Sequence, residues 1–325
     1  MTLVLCTEDY DAQCIAWLGE RCEVVRCAPT DGALFDDLAQ RAEGLLVRTY
    51  TRVNAELLSR MPRLRVVGRA GVALENIDAL ACRERGVAVV HTPNSNTRAV
   101  VEFFTAVLMD ALRPRVILDH ALKPEDWHAA RRELVGEWEA NELTLGILGF
   151  GRIGSAVARV GEALDMPILY HDICEIAPER RGRAKPVSFE RLLTESDVLT
   201  VHVDYRASNT GLLGAPEFAR MKPGALLINT SRGFVIDADA LAAHLLAHPD
   251  CRAILDVHDP LEPIPGDYPL LKVPNASLTP HLASGTVKAK RDMSWVVRDL
   301  WGVLQGEPAQ NPPPAWLYEE GDSLR

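Results

Sequence analysis

The feature that most constrains the fold is the segment 143–164, with the sequence LTLGILGFGRIGSAVARVGEAL. It places Gly149, Gly151 and Gly154 in a GxGxxG pattern, directly after an apolar strand-like run and at the start of a helix-like run. In such a unit the glycines permit a tight turn, and backbone amides approach a pyrophosphate at the positive end of the helix. The segment therefore predicts a dinucleotide-binding unit, with an ordinary strand–helix crossover and a coincidental glycine pattern as the alternative.

The next strand-like run, PILYHD, indicates which dinucleotide binds. It ends at Asp172, 23 residues after Gly149. A carboxylate at this position accepts hydrogen bonds from the adenosine ribose hydroxyls and repels a 2′-phosphate, which favours NAD over NADP. Basic residues that could hold that phosphate follow in a loop-like segment and leave NADP open: Arg180, Arg181, Arg183 and Lys185.

Strand-like and helix-like runs alternate along almost the whole chain, which is typical of α/β proteins with parallel sheets. The first third has strand-like runs at 3–7, 22–27, 44–48, 65–70 and 87–92. A long apolar helix follows over 97–112, and further strand-like runs lie at 145–150, 168–171, 198–203, 225–230, 253–257 and 276–279. This order predicts two doubly wound sheets.

The predicted boundaries follow from the helical stretch 285–304, which is too isolated to form a domain and is expected to return to the first one. We therefore predict a smaller flavodoxin-like substrate domain, 1–97 plus 285–325, into which a Rossmann-type NAD-binding domain, 98–284, is inserted. The Pro-rich tail from residue 306 onward is expected to be extended or loose.

Composition excludes several classes of partner. The chain has 35 Lys and Arg against 45 Asp and Glu, a net charge of −10, and no long basic stripe, so nucleic acid is not expected as a partner. We see no signal peptide, and no apolar run approaches the ~20 residues of a membrane span. The 7 scattered cysteines fit reduced thiols better than disulfides or a zinc site. We expect a cytoplasmic protein without a metal site or membrane association.

Three polar residues follow strand-like runs of the second domain: Arg232 after ALLINT, Glu262 beyond AILDV, and His281 after ASLTP. Ligands of open parallel sheets bind beyond the carboxyl ends of the strands, so we expect these side chains to converge beside the nicotinamide. A histidine can exchange a proton with a carbonyl oxygen while hydride is transferred at the carbon, and a carboxylate beside it orients the ring. Arginine can bind a substrate carboxylate. Each residue alone also has an ordinary structural explanation; together they predict hydride transfer.

The motifs TLGILGFGRIG, MKPGALLINTSRGFVIDADAL, ILDVHDPLEPIPGDYPLL and LTPHLASGT resemble the D-isomer-specific 2-hydroxyacid dehydrogenases. Within that family LLVRTYTRVN, VVGRAGVALENID and HTPNSNTRAVVE are most similar to D-3-phosphoglycerate dehydrogenases, in a short form without a regulatory domain. The similarity covers roughly residues 44–304. It implies a catalytic set of His281, Glu262 and Arg232, an NAD cofactor, and a homodimer joined through the nucleotide-binding domains.

The resemblance also implies roles for residues outside the catalytic set. Arg152 and Ile153 would approach the pyrophosphate, and the cofactor would further contact Val203, Thr230, Ser231 and Asp256. The backbone at Ala70, Gly71 and Val72 would meet the substrate carboxylate, and Arg48, with Arg52, would recognise a phosphate unless both are ordinary surface arginines.

Some residues depart from the family pattern. One extra residue separates Asp256 from Glu262, which makes Asp259 an alternative partner for the histidine, and His258 stands where an aromatic residue is usual. Asp204 and Ala207 replace typical prolines near the cofactor, while Tyr50 and Ala73 change the predicted substrate pocket.

The predicted function is NAD-dependent oxidation of a small D-2-hydroxy acid, or reduction of the 2-keto acid, with 3-phosphoglycerate as the first candidate substrate. Glyoxylate or hydroxypyruvate reduction is the nearest enzymatic alternative. A non-catalytic NAD-sensing protein of the same fold is the alternative from another class, although a binding protein has no need of the proton donor that His281 would provide.

Overall fold

The computed structural model describes residues 1–259 and 262–318. The described residues divide into two compact units: residues 1–96 with those from 284 onward form the first unit, and those between 97 and 283 form the second. None of the helices in the described parts of the chain is long and apolar enough to cross a membrane.

The first unit contains a parallel sheet of five strands in the order β2-β1-β3-β4-β5, which is the flavodoxin-like order. Its strands are β1 (Leu3–Cys6), β2 (Glu23–Arg26), β3 (Gly44–Val47), β4 (Val66–Arg69) and β5 (Ala88–His91). Most of their side chains are buried, as expected for a sheet covered on both faces. Helices between the strands are α1 (Ala12–Gly19), α2 (Ala33–Ala39), α3 (Ala55–Ser59) and α4 (Ala79–Glu84).

The second unit contains a parallel sheet whose seven described strands have the order β12-β11-β10-β9-β6-β7-β8. They are β6 (Leu145–Leu148), β7 (Ile168–His171), β8 (Lys185–Pro186), β9 (Val198–Val201), β10 (Leu226–Asn229), β11 (Arg252–Leu255) and β12 (Ala276–Leu278). The order reverses between β6 and β9, as in dinucleotide-binding folds. The predicted α/β class with two parallel sheets is confirmed, and the two-residue β8 is the strand that the sequence pattern did not reveal.

The helices of the second unit are α5 (Thr97–Leu112), α6 (Pro124–Glu133), α7 (Arg152–Ala163), α8 (Pro178–Arg181), α9 (Phe189–Glu195), α10 (Ala215–Phe218) and α11 (Ala238–Ala247). None of the residues of α6 is buried. Two apolar clusters form the core of this unit. One lies around Ile147, Val157 and Phe104, where α5 and α7 cover the sheet, and the other lies around Leu199, Leu227 and Leu241.

The last two helices, α12 (Val287–Ser294) and α13 (Val296–Leu304), complete the first unit. Leu300 of α13 packs against β3 and β4 at Gly44 and Gly68; a Cβ atom added at Gly68 would lie 3.0 Å from Leu300. Glycines at these strand positions therefore allow the helix to lie close to the sheet.

The tail was expected to be extended or loose, and its residues up to Tyr318 are not loose, because they are bonded to the first unit. The backbone amides of Gln310 and Asn311 each donate to Asp299 over 2.8 Å, and the amide of His91 donates to the carbonyl oxygen of Asn311 over 3.1 Å. The guanidinium of Arg83 lies 4.6 Å from the ring centre of Tyr318. Residues 319–325 lie outside the described part of the chain.

Candidate active site

The glycine loop between β6 and α7 combines a tight turn with an open face. Gly149 has φ +89, and a Cβ atom there would lie 2.8 Å from the carbonyl carbon of His202. A Cβ atom at Gly154 would lie 2.1 Å from the carbonyl oxygen of Gly149, so this glycine allows the helix to meet the loop closely. No atom lies within 4 Å of a Cβ atom added at Gly151, so this face of the loop is accessible to a ligand at the start of α7.

Asp172 lies beside this loop at the end of β7. Its Oδ2 accepts a hydrogen bond from the backbone amide of Phe150 over 2.6 Å, and its Oδ1 accepts one from Cys174 over 2.8 Å. The carboxylate is only partly buried, so it can also accept from a ligand hydroxyl. A ribose-binding acid is therefore held next to the predicted pyrophosphate loop.

The basic residues that left NADP open are partly occupied elsewhere. The guanidinium of Arg183 donates to the carbonyl oxygen of Glu162 over 2.5 Å and lies 3.5 Å from Asp165. Its backbone amide donates to the Glu162 carboxylate over 2.6 Å. Arg180 and Arg181 lie in the short helix α8. These contacts draw Arg183 toward the end of α7, away from a role in binding a 2′-phosphate.

Other predicted cofactor residues sit at the same edge of the sheet. Arg152 and Ile153 form the first turn of α7, and Val203 follows β9. Thr230 and Ser231 follow β10 and are each 8% exposed. The Thr230 hydroxyl is buried without a hydrogen-bond partner among the described residues, so it could donate to a ligand.

His281 and Glu262 form a direct pair. The Nδ1 atom of His281 donates to Oε2 of Glu262 over 2.7 Å, and Oε1 accepts from the backbone amide of His258 over 3.0 Å. Burial opposes ionisation of Glu262, but the hydrogen bond from His281, its charge and the amide of His258 outweigh that effect and hold the pKa of Glu262 below 4.5. The extra residue before Glu262 therefore does not prevent the pairing.

The alternative carboxylate, Asp259, has a different environment. No hydrogen bond or ion pair links its side chain to His281 in the described part of the chain, and burial raises its pKa. Glu262, rather than Asp259, is the acid that orients the histidine.

The backbone of His281 is held in an unusual conformation. Its φ is +54, in the left-handed region that side chains other than glycine rarely adopt. The following residues explain how it is held: the buried carboxylate of Asp256 accepts from the amides of Leu282 and Ala283, each over 2.7 Å, and from the hydroxyl of Thr279 over 2.5 Å. Asp256 thus fixes the loop that presents the histidine.

This finding changes the account of Asp256. It was expected to contact the cofactor, but its side chain is 0% exposed and accepts hydrogen bonds from both sides of His281. Its contact with the nicotinamide stays a prediction. Its role in positioning the histidine loop was not predicted, because the bonds join residues that are 23 to 27 positions apart.

Arg232 follows β10, the strand next to β11 and hence one strand away from β12, which precedes His281. Its turn is fixed by the buried Asn229, which accepts from the amide and hydroxyl of Ser231 over 2.9 and 2.8 Å and donates to the Arg232 carbonyl oxygen over 2.9 Å. A Cβ atom at Gly233 would lie 2.1 Å from the carbonyl carbon of His258. The Arg232 turn therefore packs directly on the segment that leads to Glu262.

The predicted carboxylate-binding segment, Ala70, Gly71 and Val72, lies in the first unit at the end of β4. The carbonyl oxygen of Val72 is 2.7 Å from Nδ1 of the buried His91, and that of Gly71 accepts from the amide of Thr92 over 3.0 Å. A Cβ atom at Gly71 would lie 2.0 Å from the guanidinium of Arg69. The amides of Val72 and Ala73 have no acceptor among the described residues.

Arg69, Asn76 and His91 were missed by the sequence analysis. All three are buried, and Arg69 donates to the side-chain oxygen of Asn76 over 3.3 Å. Together they support the 70–73 turn, because Arg69 lies beside Gly71 and the ring of His91 contacts the carbonyl oxygen of Val72. In the sequence, the arginine within the apolar run VVGRA could have indicated a buried arginine at the end of a strand.

Comparison with known proteins decides the family. Residues 105–283 match the family model described as the NAD binding domain of the D-isomer specific 2-hydroxyacid dehydrogenases. The chain belongs to this family.

Relatives in this family include enzymes with different substrates. The chain is 36% identical to a D-3-phosphoglycerate dehydrogenase of Archaeoglobus fulgidus over 83% of its own length, but the match spans only 51% of that enzyme. It is 35% identical to the (S)-sulfolactate dehydrogenase of Chromohalobacter salexigens, covering 92% of this chain and 97% of that one. The structure of a glyoxylate reductase from Paecilomyes thermophila superposes with a TM-score of 0.84 at 27% identity, covering 97% of this chain and 99% of the other.

Several predictions are confirmed by this membership: the α/β dehydrogenase fold, the NAD cofactor and an oxidoreductase of the D-2-hydroxyacid class. The second unit also fits the cofactor in its own geometry, because the face of Gly151 is open and Asp172 lies beside it. The roles of individual residues stay predictions.

Proposed function

We propose that this dehydrogenase interconverts a small D-2-hydroxy acid and the matching 2-keto acid, with His281 as the acid–base group. The observation that carries the proposal is the 2.7 Å bond between His281 Nδ1 and Glu262, at the same sheet edge as the glycine loop. When bound, NAD supplies the hydride acceptor or donor. The Arg152 turn and Asp172 would hold its pyrophosphate and ribose.

His281 holds and moves the proton at the substrate oxygen. Because Nδ1 donates to Glu262, the other ring nitrogen, Nε2, is assigned to the substrate. In the direction of reduction Nε2 donates its proton to the carbonyl oxygen as that carbon becomes an alcohol. In the direction of oxidation it removes the hydroxyl proton. The ionised Glu262 stabilises the positive ring in both directions.

Arg232 is assigned to the acid function of the substrate. It binds the carboxylate and polarises the neighbouring carbonyl, for which its planar guanidinium is suited. In the first unit, the amides of Val72 and Ala73 have no acceptor among the described residues and are separate candidates for binding a carboxylate.

The substrate is proposed to carry a second anionic group, with 3-phosphoglycerate as the first candidate. Support comes from Arg48 and Arg52, which line a recess of about 850 Å³ in the first unit. Neither makes an ion pair with a carboxylate in the described residues, so both charges are available for a ligand. The relatives that act on phosphoglycerate and sulfolactate are consistent with such a group. The similarity to a glyoxylate reductase keeps reduction of glyoxylate or hydroxypyruvate as the second candidate.

The test is NADH consumption at 340 nm with phosphohydroxypyruvate, sulfopyruvate, hydroxypyruvate and glyoxylate in parallel. We expect kcat/KM to be at least ten times higher for an acid with a second anionic group. A preference for glyoxylate or hydroxypyruvate would remove Arg48 and Arg52 from substrate recognition. NADH binding without turnover of any 2-keto acid would support a non-catalytic NAD-binding protein.

We also propose that the enzyme is a cytoplasmic homodimer joined through its nucleotide-binding units. Support for the dimer comes from exposed apolar side chains that are concentrated in the second unit between β6 and α5: Val116, Ile117, Leu118, Trp127, Leu134, Val135 and Trp138. Ile117 alone is 87% exposed. Light scattering after gel filtration should give twice the 35.8 kDa chain mass, and Ile117→Asp should shift the protein towards monomer.

A further inference from the structure

Glu8 makes an unusual set of contacts in the first unit. Its carboxylate accepts hydrogen bonds from the backbone amides of four consecutive residues, 48 to 51, which follow β3. Oε1 lies 3.0 Å from the amide of Arg48 and 3.1 Å from those of Tyr50 and Thr51. Oε2 lies 2.8 Å from the amide of Thr49 and 3.1 Å from that of Tyr50. One side chain therefore binds every backbone amide of the 48–51 loop.

Neighbours of Glu8 hold the same loop. The hydroxyls of Thr7 and Thr51 lie 2.7 Å apart, and the hydroxyl of Tyr10 donates to the carbonyl oxygen of Val47 over 2.6 Å. Burial opposes ionisation of Glu8, but the amides of Thr49, Arg48, Thr51 and Tyr50 together lower its pKa below 4.5. The segment after β1 thus serves as a charged support for the end of β3.

The supported loop borders the recess that contains Arg48 and Arg52. Of the other basic residues around it, Arg26 pairs with Asp9 and Arg60 pairs with Asp36. In the described residues no carboxylate pairs with Arg48, Arg52 or Lys290. The charge of Glu8 is directed at backbone amides, so the acid shapes the recess without forming an ion pair with these three cations.

We propose that Glu8 is a positioning residue for substrate binding: it holds the 48–51 loop so that Arg48 and Arg52 present their guanidinium groups to the second anionic group of the substrate. The proposal rests on the proposed function, which assigns that group to these arginines. Glu8 itself does not contact the substrate. It acts through the backbone, 40 residues away from Arg48 in sequence.

Charge and positioning predict opposite effects, which makes the role testable. Removing a negative charge from a basic recess should lower the KM for an anionic substrate. Releasing the loop should raise it. Glu8→Gln keeps the size of the side chain but places an NH₂ group against amide donors. Glu56→Gln removes the same charge at the same recess, and its carboxylate accepts no hydrogen bond from the described residues, so it reports the effect of charge alone.

The first experiment compares the steady-state kinetics of the wild type, Glu8→Gln and Glu56→Gln with phosphohydroxypyruvate, and in parallel with glyoxylate. We expect Glu8→Gln to raise the KM for the phosphorylated acid at least tenfold, with kcat and the KM for NADH changed less than threefold. For Glu56→Gln we expect an unchanged or lower KM, and for Glu8→Asp, which restores the charge on a shorter side chain, a partial recovery. A lowered KM in Glu8→Gln would overturn the proposal.

A second measurement separates failure of this proposal from failure of the proposed function. Hydrogen–deuterium exchange of the peptide covering residues 44–54 is followed with and without inorganic phosphate. We expect exchange in Glu8→Gln to be at least ten times faster than in the wild type, with loss of protection by phosphate, and no such change in Glu56→Gln. Unchanged exchange would overturn the role of Glu8 even if the enzyme is active. Absence of turnover in the wild type would reject the proposed function, while exchange would still decide the role of Glu8.

Discussion

The substitution Asp256→Asn tests how His281, the proposed acid–base residue, is held. The Asp256 carboxylate is fully buried and accepts three hydrogen bonds, from Thr279, Leu282 and Ala283. An asparagine has one acceptor oxygen, and its NH₂ group would face a backbone amide that then lacks an acceptor. An unsatisfied buried donor destabilises by ~1–3 kcal/mol, and a neutral acceptor weakens the bonds that remain. We expect the free energy of unfolding to fall by about 3 kcal/mol.

The same substitution should reduce catalysis, because it frees both sides of His281. A displacement of a catalytic group by about 1 Å reduces the rate by about 100-fold, and we expect a fall in kcat of this size. Urea unfolding followed by circular dichroism gives the first quantity, and NADH oxidation gives the second. Asp259→Asn is the matched control and should leave both quantities nearly unchanged, since among the described residues the Asp259 carboxylate makes no hydrogen bond or ion pair with the histidine loop. A loss of less than 1 kcal/mol with wild-type kcat in Asp256→Asn would refute the reasoning.

Three further predictions concern Gly149, Asp172 and Glu8. Gly149→Ala should lower both the Tm and the affinity for NADH, because Gly149 has φ +89 and a Cβ atom there would lie 2.8 Å from the His202 carbonyl carbon; calorimetry and fluorescence titration measure the two effects. Asp172→Asn should raise the kcat/KM ratio of NADPH to NADH at least tenfold, because it removes the charge that repels a 2′-phosphate; an unchanged ratio would mean that other groups select the cofactor. Folding lowers the pKa of Glu8, so its carboxylate stabilises the fold above the unfolded pKa of about 4.5. This contribution is lost as the pH falls through the folded pKa. The difference in unfolding free energy between wild type and Glu8→Gln should therefore be constant above pH ~5 and shrink below ~4.5.

Much of the fold could be predicted because it depends on local patterns. Buried parallel strands appear as short apolar runs, and the run at 145–150 with the glycines after it defines a strand, a turn and a helix within twenty residues or so. β8 could not be predicted, because a two-residue strand that contains Pro186 has no periodicity. The packing of the tail depends on side-chain and backbone bonds to Asp299, in the preceding helix, and to His91, which is distant in sequence, and neither bond leaves a pattern in the tail itself.

The candidate site was predictable to the level of which residues share an edge of the sheet. Strand ends placed His281 and Glu262 together, although the extra residue before Glu262 left Asp259 as an alternative, which the 2.7 Å bond between His281 and Glu262 decides. The loop-holding roles of Asp256 and Glu8 could not be predicted. Both depend on hydrogen bonds from backbone amides of distant segments to a carboxylate. Almost any residue type can supply a backbone amide, so the donor residues leave no signal in the sequence.

The central claim is that His281 exchanges the proton during hydride transfer. The most direct measurement is single-turnover oxidation of bound NADH by the preferred 2-keto acid, in the wild type and in His281→Ala, with NADH affinity determined by fluorescence on the same samples. The account predicts an NADH affinity within threefold of the wild type and a rate reduced by about 10²–10⁴-fold. A His281→Ala rate within a few-fold of the wild type, with NADH still bound, would contradict it.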